Sequence, residues 1–155
     1  MREVITLKKN QVYYEDVAEG DAIPELVKKY ELFKWVAFLT VHGDFYGAHF
    51  DYRSAEKQKD ETAPSPHGFG MQVMTHLSQL LTDWMGPNGV LKTFKCKTRA
   101  PIYDGTINTY RGKIVKKYIE NGENFVELEL DGIQEDGKLG ANGYAKVILP
   151  SRKTV

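Results

Sequence analysis

The sequence predicts an α+β protein in which one apolar helix lies against a long antiparallel sheet. Three observations lead to this class. A strongly apolar pattern with helical spacing runs from Phe69 to Met85, nearly everything after it has β character, and Asn121-Gly122 and Asp136-Gly137 separate successive strand patterns as hairpin turns. The length of 155 residues, 41% of them apolar, is that of a single domain spanning 1–155.

The first third of the chain mixes short elements. We expect irregular structure over 13–20, a strand over Ile23–Tyr30 and a short helix over Glu31–Thr40, with Gly43 suited to end that helix. From 44 to 66 the chain is polar and rich in turn formers. The apolar residues of the short helix recur three and four positions apart: Leu32, Trp35, Val36 and Leu39.

Two further helices follow. Ser54–Asp60 has helical composition, with Ser54 as a candidate N-cap. In the long helix, Met71 and Met74 widen the apolar arc, so we expect that helix to be covered on most sides. Its start near Gly68 should present unpaired N–H groups and the positive end of the helix dipole. Its only polar stripe comprises Gln72, His76, Gln79 and Asp83.

The C-terminal part reads as strands joined by tight turns, which favours an antiparallel sheet. The residues after Pro150, 151–155, are expected to fray as a tail. The predicted strands are Phe94–Thr98, Asn108–Tyr118, Phe125–Leu130 and Tyr144–Leu149.

Composition argues against several classes of protein. Lys+Arg and Asp+Glu number 21 each, so the net charge is zero and gives no support to nucleic-acid or anionic-membrane binding. The single cysteine, Cys96, cannot form an intramolecular disulfide, which favours a reducing, cytoplasmic setting. The longest apolar stretch, Leu32–Val41, is too short to span a bilayer, and the N-terminus lacks a secretory signal pattern.

Two segments carry candidate chemistry. Asp44 and His49 lie five positions apart in the loop that follows the short helix, where a carboxylate and an imidazole could share a proton and hold a water. Such residues are also common as solvated turn formers. His67-Gly68 then opens the apolar helix, where backbone N–H groups can stabilise a developing oxyanion.

This combination resembles the MaoC-like, (R)-specific enoyl-thioester hydratases and dehydratases, whose motif runs Asp-x-Asn-Pro-x-His and is followed by a glycine that opens the central helix. Asp44, His49 and Gly68 match those three positions, and the resemblance extends from about Tyr14 to Leu149. The chain departs from the motif at Tyr46-Gly47, which replaces Asn-Pro.

The resemblance implies the hot dog fold, an antiparallel sheet wrapped around one long central helix. It also implies an Asp44/His49 acid-base pair, an oxyanion hole at the Gly68 N–H, and substrate contacts from Tyr46 and His67. The resemblance implies no metal or redox cofactor. The acyl carrier, coenzyme A or acyl carrier protein, enters as part of the substrate. The implied partner is a second copy, with the site near the subunit boundary.

Two alternatives stay open on the sequence. A hot dog thioesterase would share the fold, but its acidic residue usually lies on or near the central helix, where this chain offers only Asp83 at the far end. A non-catalytic partner subunit of a hydratase complex is the other. The presence of Asp44 and His49 argues against it, whereas Tyr46-Gly47 keeps it open.

Overall fold

The computed structural model describes residues 10–57, 66–68 and 70–152. Two short 3₁₀ turns, Tyr14–Asp16 and Gly47–His49, accompany the regular elements. In chain order those elements are β1 (Ala22–Lys29), α1 (Leu32–His42), α2 (Tyr52–Lys57), α3 (Gly70–Met85), β2 (Val90–Thr98), β3 (Ile107–Glu120), β4 (Glu123–Gln134) and β5 (Leu139–Ile148).

The five strands form one antiparallel sheet in the order β1-β3-β4-β5-β2. The Asn121-Gly122 turn closes the β3–β4 hairpin with both residues at positive φ, 52° and 79°, as a tight primed turn requires. β2 does not pair with β3, which follows it in sequence. It pairs with β5 instead, with Val90 opposite Ile148 and Thr98 opposite Ala141.

The apolar face of α3 packs against the inner face of this sheet, and the α+β prediction is confirmed. Val73, Leu77, Leu80 and Leu81 of the helix are each at most 3% exposed. The same core includes Trp35 and Leu39 of α1, which explains why that short helix folds against the body. The sheet contributes Ile23, Tyr110, Ile114, Val126, Leu128, Leu130, Ala141, Ala145 and Val147.

Helix α2 starts earlier than predicted, and Ser54 is not its N-cap. The helix begins at Tyr52, and the carboxylate of Asp51 accepts hydrogen bonds from the Arg53 N–H (3.0 Å) and the Ser54 hydroxyl (2.7 Å). Aspartate is as good a capping residue as serine, and here it comes first in the chain. Residues 58–60 of the predicted helix lie outside the described residues.

The polar stripe and the methionines of α3 face other directions than expected. Gln72 is 9% exposed and His76 contacts Tyr30, so this half of the stripe points inward. Met71 and Met74 are 42% and 37% exposed in the single chain, so that side of the helix is not covered as predicted.

Two residues of the tail that was predicted to fray, Ser151 and Arg152, are held against the fold. Ser151 and Arg152 bond to the carboxylates of Glu15 and Asp16, which holds the tail against the first 3₁₀ turn. Residues 153–155 lie outside the described residues. Among the helices that the structure describes, none combines the length and the apolar character needed to cross a membrane.

Candidate active site

The end of α1 positions Asp44. Gly43 adopts φ 70° as the helix C-cap, a left-handed conformation that glycine accepts without strain. The Asp44 N–H then donates to the Leu39 carbonyl (3.1 Å), and its carboxylate accepts the Tyr46 N–H (3.0 Å). These bonds hold the Asp44 carboxylate in a local turn, half-buried, on the loop that carries His49.

His49 is held from several sides and is 9% exposed. Its carbonyl accepts the indole N–H of the fully buried Trp35 (2.5 Å), and its own N–H donates to the Tyr46 carbonyl (3.0 Å). The imidazole Nδ1 lies 2.9 Å from the His67 carbonyl oxygen. Because a carbonyl only accepts, Nδ1 carries the hydrogen, and in the neutral ring the basic lone pair is on Nε2.

Aromatic side chains surround this imidazole. The rings of Tyr46 and His67 both meet that of His49 edge to face, with centroids 5.4 and 4.8 Å away. Tyr46 is itself 51% exposed. The structure therefore brings Tyr46, His49 and His67 together, with Asp44 attached to the same loop through the Tyr46 N–H.

Gly68 does not have the position that the sequence predicted. Its N–H donates to the Ile102 carbonyl at 2.6 Å, and the helix begins two residues later, at Gly70. The Gly68 N–H is thus used within the protein. The N–H groups without an intrahelical acceptor belong to the first turn of α3, from Gly70 onward.

A cleft of about 360 Å³ lies between this segment and the loop that follows β2. That volume is within the range of small-molecule sites. Asp44 and Tyr46 lie on the adjoining loop, outside the set of described residues that line it. The lining comprises His49, His67, Gly68, Gly70, Val73, Thr98, Arg99, Ala100, Pro101 and Ile102.

Sequence reasoning did not identify the wall formed by 98–102. Of the described residues in the lining, Arg99 alone has a permanently charged side chain, and its Nε donates to Asn142 Oδ1 (2.6 Å). The wall is brought into position by non-local pairing, because the N–H groups of Arg99 and Ala100 both donate to the Gly140 carbonyl. No local motif in the sequence signals that contact.

A buried polar cluster lies behind the cleft. The Tyr30 hydroxyl hydrogen-bonds to His76 Nδ1 (2.9 Å) and to the Tyr110 hydroxyl. Burial lowers the pKa of His76 to about 4, with the Lys28 cation adding to the effect. Burial also raises the pKa of Tyr30, and it raises the pKa of Tyr110 to about 12. At neutral pH the cluster therefore consists of a neutral imidazole and two protonated hydroxyls.

Within the ranges that the structure describes, no group of three or more His, Cys, Asp or Glu side chains is arranged to hold a metal ion. Among the described residues that line the cleft, groups able to take part in chemistry include the imidazoles of His49 and His67, the Arg99 guanidinium and the backbone donors at the start of α3.

Comparison with family models gave no match, and comparison with curated proteins gave no significant one. Solved structures are similar. R-hydratase PhaJ1 from Pseudomonas aeruginosa superposes with a TM-score of 0.79 at 19% identity, over 93% of this chain and 89% of that one. A MaoC-like dehydratase from Rhodospirillum rubrum gives 0.77 at 17% identity, over 92% and 99%.

The ChsH1-ChsH2 complex from Mycobacterium tuberculosis is also similar, with a TM-score of 0.73 at 18% identity, over 85% of this chain and 98% of that one. These likenesses establish the fold. The chain has the hot dog architecture of MaoC-like dehydratases and (R)-hydratases, as the resemblance implied, with α3 as the central helix.

Proposed function

We propose that this protein adds water across the double bond of α,β-unsaturated acyl thioesters, or removes it from 3-hydroxyacyl thioesters. The observation that carries the proposal is the His49 imidazole, which lines the cleft with Nδ1 held by the His67 carbonyl, beside the first turn of α3. A basic Nε2 next to a helix N-terminus provides a proton acceptor and a stabiliser of negative charge in one small site.

In the proposed reaction, Asp44 and His49 hold a water and accept one of its protons as the oxygen bonds to the β-carbon. The double-bond electrons move toward the α-carbon and the thioester carbonyl. A proton returned from the same pair to the α-carbon completes the addition. The carrier, coenzyme A or acyl carrier protein, enters with the substrate, and the proposed chemistry uses no other cofactor.

The oxyanion role, expected for Gly68, is assigned here to the N–H of Gly70. The Gly68 N–H already donates to Ile102, whereas Gly70 both opens α3 and lines the cleft. Charge on the thioester oxygen grows during the reaction, so a donor fixed by the helix stabilises the transition state more than the substrate. Tyr46, whose ring contacts His49, is assigned to shaping the pocket, because a phenol is too weak an acid to replace a carboxylate.

The direct test is incubation of the purified protein with an enoyl-CoA while the conjugated absorbance and the free thiol are followed. Loss of absorbance without thiol release is the expected result. Thiol release would identify a thioesterase. Neither change, across short, long and branched acyl groups, would refute the proposed activity.

Variants of the acid-base pair test the site itself. Asp44→Asn and His49→Ala should each lower turnover by about 10²–10⁴. The double variant should be little worse than the poorer single one, because groups that act as a unit are not additive. Circular dichroism checks folding, and the indole bond of Trp35 uses the His49 carbonyl, which alanine retains. Wild-type turnover in Asp44→Asn would rule out this pair.

A second candidate is a non-catalytic subunit of a two-chain hydratase. Two observations favour it: the likeness to ChsH1-ChsH2, which is a complex of two different chains, and the location of Asp44 outside the cleft lining. This candidate predicts an inactive pure protein that gains or confers activity only when it is combined with a second chain.

A further inference from the structure

Tyr30, the residue directly after β1, lies behind the wall of the cleft. It is 1% exposed, and its ring atoms Cδ1 and Cε1 lie 3.4 and 3.6 Å from the point where a Cβ on Gly68 would be. Gly68 lines the cleft on the other side. The Tyr30 ring therefore packs against the His67-Gly68 segment from inside the protein.

The backbone of Tyr30 supports the same segment by a second route. Its N–H donates to the Thr106 carbonyl and its carbonyl accepts the Gly105 N–H, both at 2.8 Å. This stretch, 102–106, also pairs with the His67-Gly68 segment, through a β-bridge from Tyr103 to His67 and through the Gly68 N–H bond to Ile102. A shift of Tyr30 would therefore disturb the His67-Gly68 segment twice, through the ring that packs on Gly68 and through the stretch 102–106 that pairs with it.

The hydroxyl of Tyr30 ties its ring to the rest of the fold. It bonds to His76 of α3 and to Tyr110 of β3, so the ring is linked both to the central helix and to the sheet. With a neutral His76 and two protonated phenols, Tyr110 can donate to Tyr30 while Tyr30 donates to His76 Nδ1. Such a saturated buried network restricts the orientation of the ring.

We propose that Tyr30 is a positioning residue for the candidate active site. Its hydroxyl bonds to His76 and Tyr110 hold the ring under Gly68, and this fixes the His67 carbonyl that orients the His49 imidazole. The inference rests on the proposed function for its kinetic consequence only. The structural consequence, the tautomer and orientation of His49, can be measured without any activity.

The kinetic test uses Tyr30→Phe, which keeps the ring and removes only the hydroxyl. We expect kcat for enoyl-thioester hydration to fall about tenfold with KM changed less than about twofold, because misplacing a reacting group affects the transition state more than binding. The matched control is Tyr118→Phe, which removes a hydroxyl that donates to Glu127 (2.8 Å) on β4 and should leave kcat unchanged.

The second test is nitrogen NMR of labelled histidine, with the His49 signals identified by their loss in His49→Ala. The wild type and Tyr118→Phe should show the hydrogen on Nδ1 and the lone pair on Nε2. Tyr30→Phe should show averaging of the two nitrogens. A protein that fails to hydrate any enoyl thioester would refute the proposed function, yet this measurement would still decide the role of Tyr30.

A folded Tyr30→Phe variant with the wild-type kcat, or with the wild-type His49 spectrum, would overturn the proposal. Should Tyr30→Phe not fold, Tyr110→Phe takes its place, since it removes one of the two bonds and leaves that between Tyr30 and His76. It should show partial averaging, and an unchanged His49 spectrum in it would equally overturn the proposal.

Discussion

Two amide side chains on the paired strands β3 and β4, Asn108 and Gln134, are both buried but differ in their hydrogen bonding. Gln134 donates through Nε2 to the Pro101 carbonyl (2.9 Å), which ties the sheet to the wall of the cleft. Asn108 is fully buried with its amide beside the Tyr110 hydroxyl, and neither its Oδ1 nor its Nδ2 makes a well-formed hydrogen bond within the described part of the chain. A buried amide whose hydrogen-bonding groups are poorly satisfied is destabilising.

Asn108→Leu, a substitution close in size, should therefore raise the free energy of unfolding by about 1 kcal/mol. The control Gln134→Leu should lower it by about 1–3 kcal/mol, because it removes the bond to Pro101 and leaves a carbonyl unsatisfied. Urea denaturation of both variants measures the difference. A destabilised Asn108→Leu would mean that the Tyr110 hydroxyl or a bound water satisfies this amide in solution.

At the scale of the element, the end of α1 determines where Asp44 lies. Gly43 and Gly137 both have positive φ, 70° and 84°, and a Cβ on either would meet no atom within 4 Å. Alanine at either position therefore adds backbone strain without a steric clash. Only Gly43 is adjacent to a candidate catalytic residue, whereas Gly137 lies in the β4–β5 turn.

We expect Gly43→Ala and Gly137→Ala to lower the free energy of unfolding by a similar amount, about 1 kcal/mol each, as measured by thermal denaturation. Gly43→Ala should in addition lower hydratase turnover, since the strain is relieved by moving Asp44. Equal turnover in the two variants would show that the conformation of this helix end does not control the site.

The contact between α3 and the strands β1 and β3 makes stability depend on pH through His76. Its folded pKa of about 4 lies below the ordinary value of 6.5, so the unfolded chain binds the extra proton more readily between these values. The contribution of the neutral, buried His76 to the free energy of unfolding is fully present above pH 6.5 and is lost as the pH falls toward 4. Among the described residues, Tyr30, Tyr110 and the Lys28 cation face His76, and burial raises the pKa of both phenols, so they stay protonated in this window.

The measurement is the urea midpoint of the wild type and of His76→Asn, which keeps an acceptor for the Tyr30 hydroxyl but does not titrate. Between pH 6.5 and 4 the wild type should lose more stability than the variant, by at most about 1.4 kcal/mol per pH unit, a limit reduced by the partial exposure of the ring. If the urea midpoints of the two proteins fall in parallel as the pH is lowered, His76 is not the source of the pH dependence.

Local signals predicted the elements well where the determining residues are neighbours in sequence. The spacing of Leu32, Trp35 and Leu39 predicted α1, and Asn121-Gly122 predicted the β3–β4 hairpin. Asp44 and His49 could be proposed as a candidate pair from the sequence because one loop carries both. The inward direction of the His76 side chain could not be predicted from the sequence, because it depends on Tyr30 and Tyr110, which are distant in the chain.

At the scale of the whole molecule, the described single chain leaves open the outer edges of the two terminal strands, β1 and β2, and one side of α3. Met71 and Met74 are exposed on that side of the helix. A free edge and exposed apolar side chains favour association. The homodimer expected from the sequence stays a prediction, and these features are where we expect its interface.

Light scattering at micromolar concentration should give twice the chain mass of 17.6 kDa. The double variant Met71→Glu, Met74→Glu should be monomeric, because it buries charge at the expected interface. Val115→Glu, at a β3 position of comparable exposure (38%), is the control and should remain dimeric. A monomeric wild type, or a dimeric double variant, would contradict this interface.

The pairing of β2 with β5 has a consequence for the order of events during folding. The first residues of the cleft wall, 98–102, bond to the Gly140 carbonyl, and they follow β2, whose partner β5 comes last among the described strands. A nascent chain that ends before β5 can form the β3–β4 hairpin and the Gln134 bond to Pro101, but it lacks the Gly140 carbonyl that accepts the N–H groups of Arg99 and Ala100. The wall of the cleft is therefore complete only once β5 is available, and such long-range closure is the slow kind of folding step.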